Sequence, residues 1–140
     1  LAGRYAEALG PLAEAGRLGL PARGDGDEHA WHLFIVRMLD GDGDVDIAAP
    51  GVAGLPVGLR ALATRRARVI EGLRGSGIGT SVHFIPLHLH PLYRGLGYGP
   101  GDFPNAEAAY AGAISLPLWP DMGDAAVDRV AAAIAKALGA

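Results

Sequence analysis

Residues 31–39 read WHLFIVRML. The run is dense in aromatic and β-branched side chains, and its near-continuous apolarity predicts a strand in the centre of a sheet. Upstream, Tyr5, Ala8, Leu9 and Leu12 recur at helical spacing between Arg4 and Ala15, which predicts a helix strained or ended near Pro11. Between the two, Gly16 to Asp27 is rich in Gly and acid, with Leu18 and Leu20 as a short edge strand before Pro21. Downstream, Asp40 to Gly58 carries seven Gly or Pro and no usable period after DGDGDVD, so 40–58 reads as a loop insertion.

Further out, Leu62, Val69, Ile70 and Leu73 fall at helical offsets among Arg65, Arg66, Arg68 and Arg74. That pattern predicts an amphipathic helix with a basic outer face, ended by Gly75 and Gly77. Gly79 to Ile85, GTSVHFI, reads as a strand closed by Pro86, with Ser81, His83 and Ile85 on one face and Val82 and Phe84 on the other. HLHPLYRGLGYGPGD then reads as a turn-rich loop, Pro104 to Ala113 as a short helix, and SLPLWPDM as an extended connector. The last helix, Ala125 to Leu138, aligns Val127, Val130, Ala131, Ile134 and Leu138 in one stripe and turns Lys136 to the far side. The expected fold class is α/β or α+β, a small sheet covered by helices.

At 140 residues the chain has room for one domain with a real core, read as 1–140. Half the residues are hydrophobic and 19% are charged, a globular composition. A net charge of -3 and a pI near 5.9 supply no basic face, so no nucleic-acid partner is expected. There is no Cys, which excludes disulfides, thiolate metal sites and a Cys nucleophile. No apolar run approaches the roughly 20 residues of a membrane span, and Leu1 to Gly10 does not read as a signal peptide. A cytoplasmic protein without a membrane partner is expected. Because the sequence opens on Leu1 and not Met, the chain is expected to be a piece of something longer.

Polar chemistry concentrates in VHFIPLHLHPLY, where His83, His88 and His90 fall within eight residues. Alternating His88 and His90, with His83 as a third donor, is one pattern for a metal, but two prolines interrupt it and no acid follows before Asp102, so no metal site is expected. General acid/base work is a second reading, although no G-x-S-x-G nucleophile elbow accompanies it. Contact of a histidine with a sugar hydroxyl or a phosphate is a third. The acidic run superficially resembles a calcium loop. Its final bidentate Glu is missing, since counting from Asp40, Asp42 or Asp44 ends on Gly51, Ala53 or Leu55. GSGIG at 75–79 precedes a strand and is a helix-to-strand turn, not a phosphate cradle.

Three stretches taken together resemble a known family. HAWHLFIV at 29–36, VIEGLRGSGIGTSVHFIPLHLHPLY at 69–93 and FPNAEAAYAGAISLPLWPDMGDAAVDRV at 103–130 are similar, in order, to the C-terminal domain of the DegT/DnrJ/StrS sugar aminotransferases. The resemblance implies the small, mostly antiparallel C-terminal domain of the aspartate-aminotransferase (fold type I) architecture. It also implies a pyridoxal phosphate enzyme that moves an amino group, usually from glutamate, to a nucleotide-linked keto sugar, with a homodimer when full length. By the same resemblance, His83 is a substrate-side residue; His88 is a second candidate substrate contact on the reading of the His-rich run alone.

Two departures from the family pattern stand out. The 40–58 stretch looks longer than usual, and Gly123 precedes the last helix where a capping Thr is frequent. The cofactor's Schiff-base Lys is also missing, since the only Lys is Lys136, on the outer face of the last helix. No catalytic or cofactor-binding residue is therefore expected in this chain, and the chain alone is expected to be inactive. A sugar dehydratase of the same family, or a non-catalytic binding module descended from it, fits the same residues.

Overall fold

The computed structural model describes residues 1–22, 29–39 and 44–139. Three antiparallel strands form the sheet in the order β1-β2-β3: β1 (Leu18–Gly19), β2 (Phe34–Met38) and β3 (Ala113–Leu116). The WHLFIVRML run thus lies in the centre, as its apolarity predicts. It becomes regular only at Phe34, because Trp31 takes a left-handed φ of 48° and donates its N–H to His29 Nδ1. The helices are α1 (Ala2–Glu14), α2 (Val57–Gly75), α3 (Pro91–Gly95), α4 (Pro104–Gly112) and α5 (Asp124–Leu138), with a 3-10 turn at Leu87–Leu89.

Phe34, Val36 and Met38 point from β2 into one core, joined there by Ile114 and Leu116 of β3. Helices α1, α2 and α5 close it with Tyr5, Leu9, Val69, Leu73 and the α5 stripe of Val127, Val130, Ala131, Ile134 and Leu138. Lys136 is exposed on the opposite side of α5, as its place on the wheel predicts. The α2 and α5 backbones pack closely, since a Cβ on Gly72 would lie 3.3 Å from that of Ala137. Arg4 bridges α1 to Asp128 of α5 through two hydrogen bonds of 2.8 Å. The exposed pair holds the Asp128 carboxyl below, and the Arg4 guanidinium above, their usual ranges by hydrogen bonding and charge. Tyr5 stacks on Phe34 at 4.9 Å and donates to the Pro117 carbonyl at 2.8 Å.

Four expectations need correction. Helix α1 runs through Pro11 to Glu14, because Pro11 and Glu7 both face solvent, where a missing hydrogen bond costs little. Gly79 to Ile85 is not a strand: only Ser81 pairs, in a single bridge to Ser115. The two neighbouring positions on β3 lack a donor, because Pro117 has no N–H and that of Ala113 is committed to the Tyr110 carbonyl at the end of α4. The strand lies instead in AISL, so the SLPL expected as connector starts inside β3, and the chain passes from α4 to β3 without a linker. Finally, the loop after Leu89 contains a helical turn, α3.

Residues 44–56 follow turns, as their Gly and Pro content predicts, yet Val52 and Leu55 are buried. With Ala63, Tyr110 and Ala111 they form a second, smaller core between α2 and α4. Asp40 and Asp42 of the acidic run lie outside the described residues; Asp44 is exposed, and Asp46 accepts the N–H of Ala48 in a local turn. Gly16 to Asp27 is described to residue 22, and its Leu18 forms the edge strand β1.

Backbone proximity is testable at Gly112, where a Cβ would meet the Met38 carbonyl oxygen at 2.6 Å. Ala usually gains about 1 kcal/mol over Gly inside a helix, but Gly112→Ala is expected to cost about 1–3 kcal/mol in urea unfolding. Gly10→Ala in α1, whose new Cβ meets nothing within 4 Å, is expected to gain about 0.4–1 kcal/mol. Equal effects of the two would refute the close approach.

Alkaline pH supplies a second check. Burial pushes the Tyr5 phenol above its ordinary range, whereas in the unfolded chain it ionises near pH ~10. The stability this contributes is complete below about pH 10 and is lost as pH rises above it. Tyr5→Phe is expected to flatten that limb of the stability profile.

Candidate functional site

The His-rich segment leaves the Ser81 bridge and wraps the end of α4, and in doing so it opens two separate hollows. The first is a shelf of about 340 Å³ lined by Leu33, Thr80, Ser81, His83, Ser115 and Pro117. Alternation along β3 places it. Ile114 and Leu116 point into the main core, so Ser115, like its partner Ile35, turns to the other face. There the buried Ser115 Oγ lies 2.7 Å from His83 Nδ1. The His83 ring stays half-buried and sits edge-on to Phe84 at 4.5 Å. A hydroxyl both donates and accepts, so Ser115 can hold His83 in either tautomer, leaving Nε2 to act as donor or acceptor toward the shelf.

The second hollow, about 370 Å³, is lined by Pro86, Leu87, His88, Tyr93, Tyr98 and Phe103. His88 is only 5% exposed, and its Nε2 lies 2.6 Å from Oε1 of Glu107, which is fully buried. The same oxygen accepts the N–H of Gly101 at 2.8 Å, while Glu107 Oε2 has no partner. His90 is exposed and stands at the N-terminal boundary of α3 without a side-chain capping bond. The structure therefore keeps His83 and His88 in different hollows and leaves His90 outside both. Among the described residues no group of three or more His, Asp or Glu is placed to hold a metal ion.

A third hollow, about 410 Å³, lies between α2 and residues 80–85. At its edge Arg66 is buried and not on the basic outer face where the sequence reading put it. It donates to the carbonyls of Tyr110 at 2.5 Å and Pro50 at 3.2 Å and lies 4.7 Å from the Tyr110 ring centre. It thereby caps the open carbonyl end of α4. Burial lowers its pKa from the usual range. Sequence reading missed Arg66, Glu107 and Ser115. A lone acid within the apolar helix AEAAYAGA was the available signal for Glu107; nothing marked Ser115 once SLPL was read as connector.

The residues present do not fit a Schiff-base cofactor. Lys136, the only lysine, is exposed near the end of α5 and lines none of the three hollows.

Comparison with known proteins gives a consistent family. The sequence profile of the DegT/DnrJ/EryC1/StrS aminotransferase family matches residues 50–135. SpsC of Bacillus subtilis, a spore coat polysaccharide biosynthesis protein, is 38% identical over 136 residues, 96% of this chain and 29% of SpsC. MJ1066 of Methanocaldococcus jannaschii is 44% identical over 110 residues, 78% of this chain and 24% of that protein. Among solved structures, Spr1654 of Streptococcus pneumoniae, assigned as a sugar aminotransferase and solved in its PMP form, superposes with a TM-score of 0.73 at 25% identity. That match covers 98% of this chain and 29% of Spr1654. DesV of S. venezuelae superposes at 0.70 with 28% identity, over 96% of this chain and 30% of DesV. The chain thus spans less than a third of the length of the relatives it matches.

The two histidines differ in how much depends on them. His88→Ala strands a buried carboxylate and is expected to cost about 3–5 kcal/mol in denaturant unfolding. Ser115→Ala removes one hydrogen bond to a half-buried ring and is expected to cost about 0.5–1.5 kcal/mol. A His88→Ala loss no larger than the Ser115→Ala loss would refute the buried pair.

Proposed function

The chain belongs to the DegT/DnrJ/EryC1/StrS aminotransferase family, and from that premise we propose that it is the C-terminal small domain of a sugar aminotransferase. In this reading the longer protein moves an amino group from glutamate to a nucleotide-linked keto sugar. Pyridoxal phosphate, bound outside these 140 residues, supplies the electron sink. His83 is the substrate-side contact of this domain, donating to or accepting from a sugar oxygen on the shelf. His88 serves as a second ligand-facing residue from the neighbouring hollow. The single observation that carries the proposal is the pairing of His83 with Ser115 Oγ at 2.7 Å over an open shelf, in a chain of this family.

No step of amino transfer is assigned to residues of this chain. The exposed Lys136 supports that division, because a Schiff-base lysine needs a desolvated site that lowers its pKa. The chain alone is proposed to be inactive. The exposed Phe84, Ile85, Leu87, Leu92 and Leu96 support a role for residues 84–96 in meeting the rest of the enzyme, proposed to be a homodimer of the cytoplasm. No described helix is long and apolar enough to cross a membrane.

The test compares the 140-residue chain with the longer protein under pyridoxal phosphate, glutamate and a nucleotide-linked 4-keto sugar, following 2-oxoglutarate release and the amino sugar by mass. Transfer is expected from the longer protein only. In that protein, His83→Ala is expected to raise KM for the sugar about tenfold, the scale of one lost polar contact, with the glutamate half of the reaction unchanged. Loss of both halves together would remove His83 from the sugar side.

A further inference from the structure

We propose that Ser115 is the positioning residue of His83: its hydroxyl holds the imidazole over the shelf, and the strength of the sugar contact depends on that hold. The role rests on the sugar-side reading of His83 given above, and it reaches the substrate only through that ring.

Among the described residues, every hydrogen bond between residues 79–85 and the sheet is made by Ser115. Its N–H donates to the Ser81 carbonyl at 2.7 Å, and its own carbonyl accepts the Ser81 N–H at 3.2 Å. Its Oγ lies 2.7 Å from His83 Nδ1. Beyond that bridge, residues 82–85 make no backbone-to-backbone hydrogen bond among the described residues. In a full strand the ladder would set where each side chain points. No ladder reaches His83. Packing supplies little in its place: Val82 rests on the second core, but Ile85 is exposed, and so is the Phe84 ring that meets His83 edge-on. The direction of the imidazole therefore falls to the one bond from Oγ.

Ser115 is a firm anchor for that bond. It is 4% exposed, its backbone is paired with Ile35 on one side and bridged to Ser81 on the other, and a serine side chain has a single heavy-atom torsion. A hydroxyl both donates and accepts, so the hold works with Nδ1 as either partner. With Nδ1 engaged, Nε2 is the ring nitrogen left without a bond among the described residues, on a ring that lines the shelf. No Asp, Glu, Lys or Arg lines that shelf, which suits an uncharged sugar and gives a phosphate no counter-charge. Without the Ser115 hydroxyl the ring must be ordered anew each time the sugar binds. That loss falls on KM and not on kcat, because ground state and transition state lose the same contact.

The experiment measures transfer by the longer protein with pyridoxal phosphate, glutamate and the nucleotide-linked 4-keto sugar, with the nucleotide lacking its sugar as competitive inhibitor. Ser115→Ala is expected to raise the sugar KM about fivefold, with kcat and inhibition by the nucleotide unchanged. Ser115→Cys fills the same space with a weak hydrogen-bonding group and is expected to raise KM to the same extent. In a His83→Ala background, Ser115→Ala is expected to add nothing, since no ring is left to hold. An unchanged KM in Ser115→Ala, a wild-type KM in Ser115→Cys, an equal weakening of nucleotide inhibition, or the same rise in both backgrounds would each overturn the positioning role and leave the sugar-side reading standing. An unchanged KM in His83→Ala alone would overturn that reading and this role together. Should Ser115→Ala fail to fold, Ser115→Cys carries the comparison in both backgrounds.

Discussion

Both hollows depend on one close approach of two backbones. Gly112, the last residue of α4, lies so near β2 that a Cβ would sit 2.6 Å from the Met38 carbonyl oxygen and 3.3 Å from its nitrogen. Because β3 begins at the next residue, the rotational phase of α4 and the register of β3 on β2 are fixed together. Three residues after Gly112 comes Ser115, which holds His83; five residues before it comes Glu107, which holds His88. A slip of one residue in β3 would exchange Ser115 with Ile114 or Leu116 and turn a hydroxyl into the main core. The helix-to-strand junction is therefore the element that places the polar chemistry, although it carries none itself.

The parts of the fold legible in the sequence are those where one signal dominates. The apolar WHLFIVRML run ends up in the centre of the sheet, and all five residues of the predicted α5 stripe are buried. Misreadings occur where a nonlocal partner decides. GTSVHFI has the composition of a strand, but its neighbour offers a proline and an already bonded N–H, so a single bridge forms. AISL follows an Ala-rich helix with only Gly112 as a break, and its pairing with β2 makes it a strand. Pro11 argued for strain in α1 or its end, yet the helix runs on to Glu14 because Pro11 faces solvent. Arg66 sat among arginines that reasonably read as one basic face; burial over Tyr110 separates it from them.

The site was half legible for a related reason. A cluster of histidines draws attention to itself, whereas the residues that orient them do not. Ser115 and Glu107 are common residue types, 32 and 19 positions from the histidines they hold. Those two partners make the histidines chemically unlike. A hydroxyl accepts or donates as required, so His83 keeps both tautomers and half its surface. The buried Glu107 and the Phe103 ring hold His88 in one place, so it gives up freedom for orientation. Adaptability suits the substrate-side contact proposed for His83, because the hydroxyls of sugars vary in position.

The lone lysine bears on how such a division of labour is sustained. A domain that carries no reacting group can contribute to a transfer reaction only through binding and orientation, and what it contributes is set by how rigidly its contacts are held. The features described above are of that kind. Arg66 ties the Tyr110 carbonyl at the end of α4 to that of Pro50, Glu107 ties Gly101 and His88 to one oxygen, and Ser115 is locked by the β3 register. Each is buried and none is at the tip of a long, free side chain. The exposed apolar residues between Phe84 and Phe103 lie on the same segment as these histidines, so a partner surface of the kind proposed above would also set the walls around them. Binding at the hollows and association at that surface would then be coupled, because both draw on side chains of one segment.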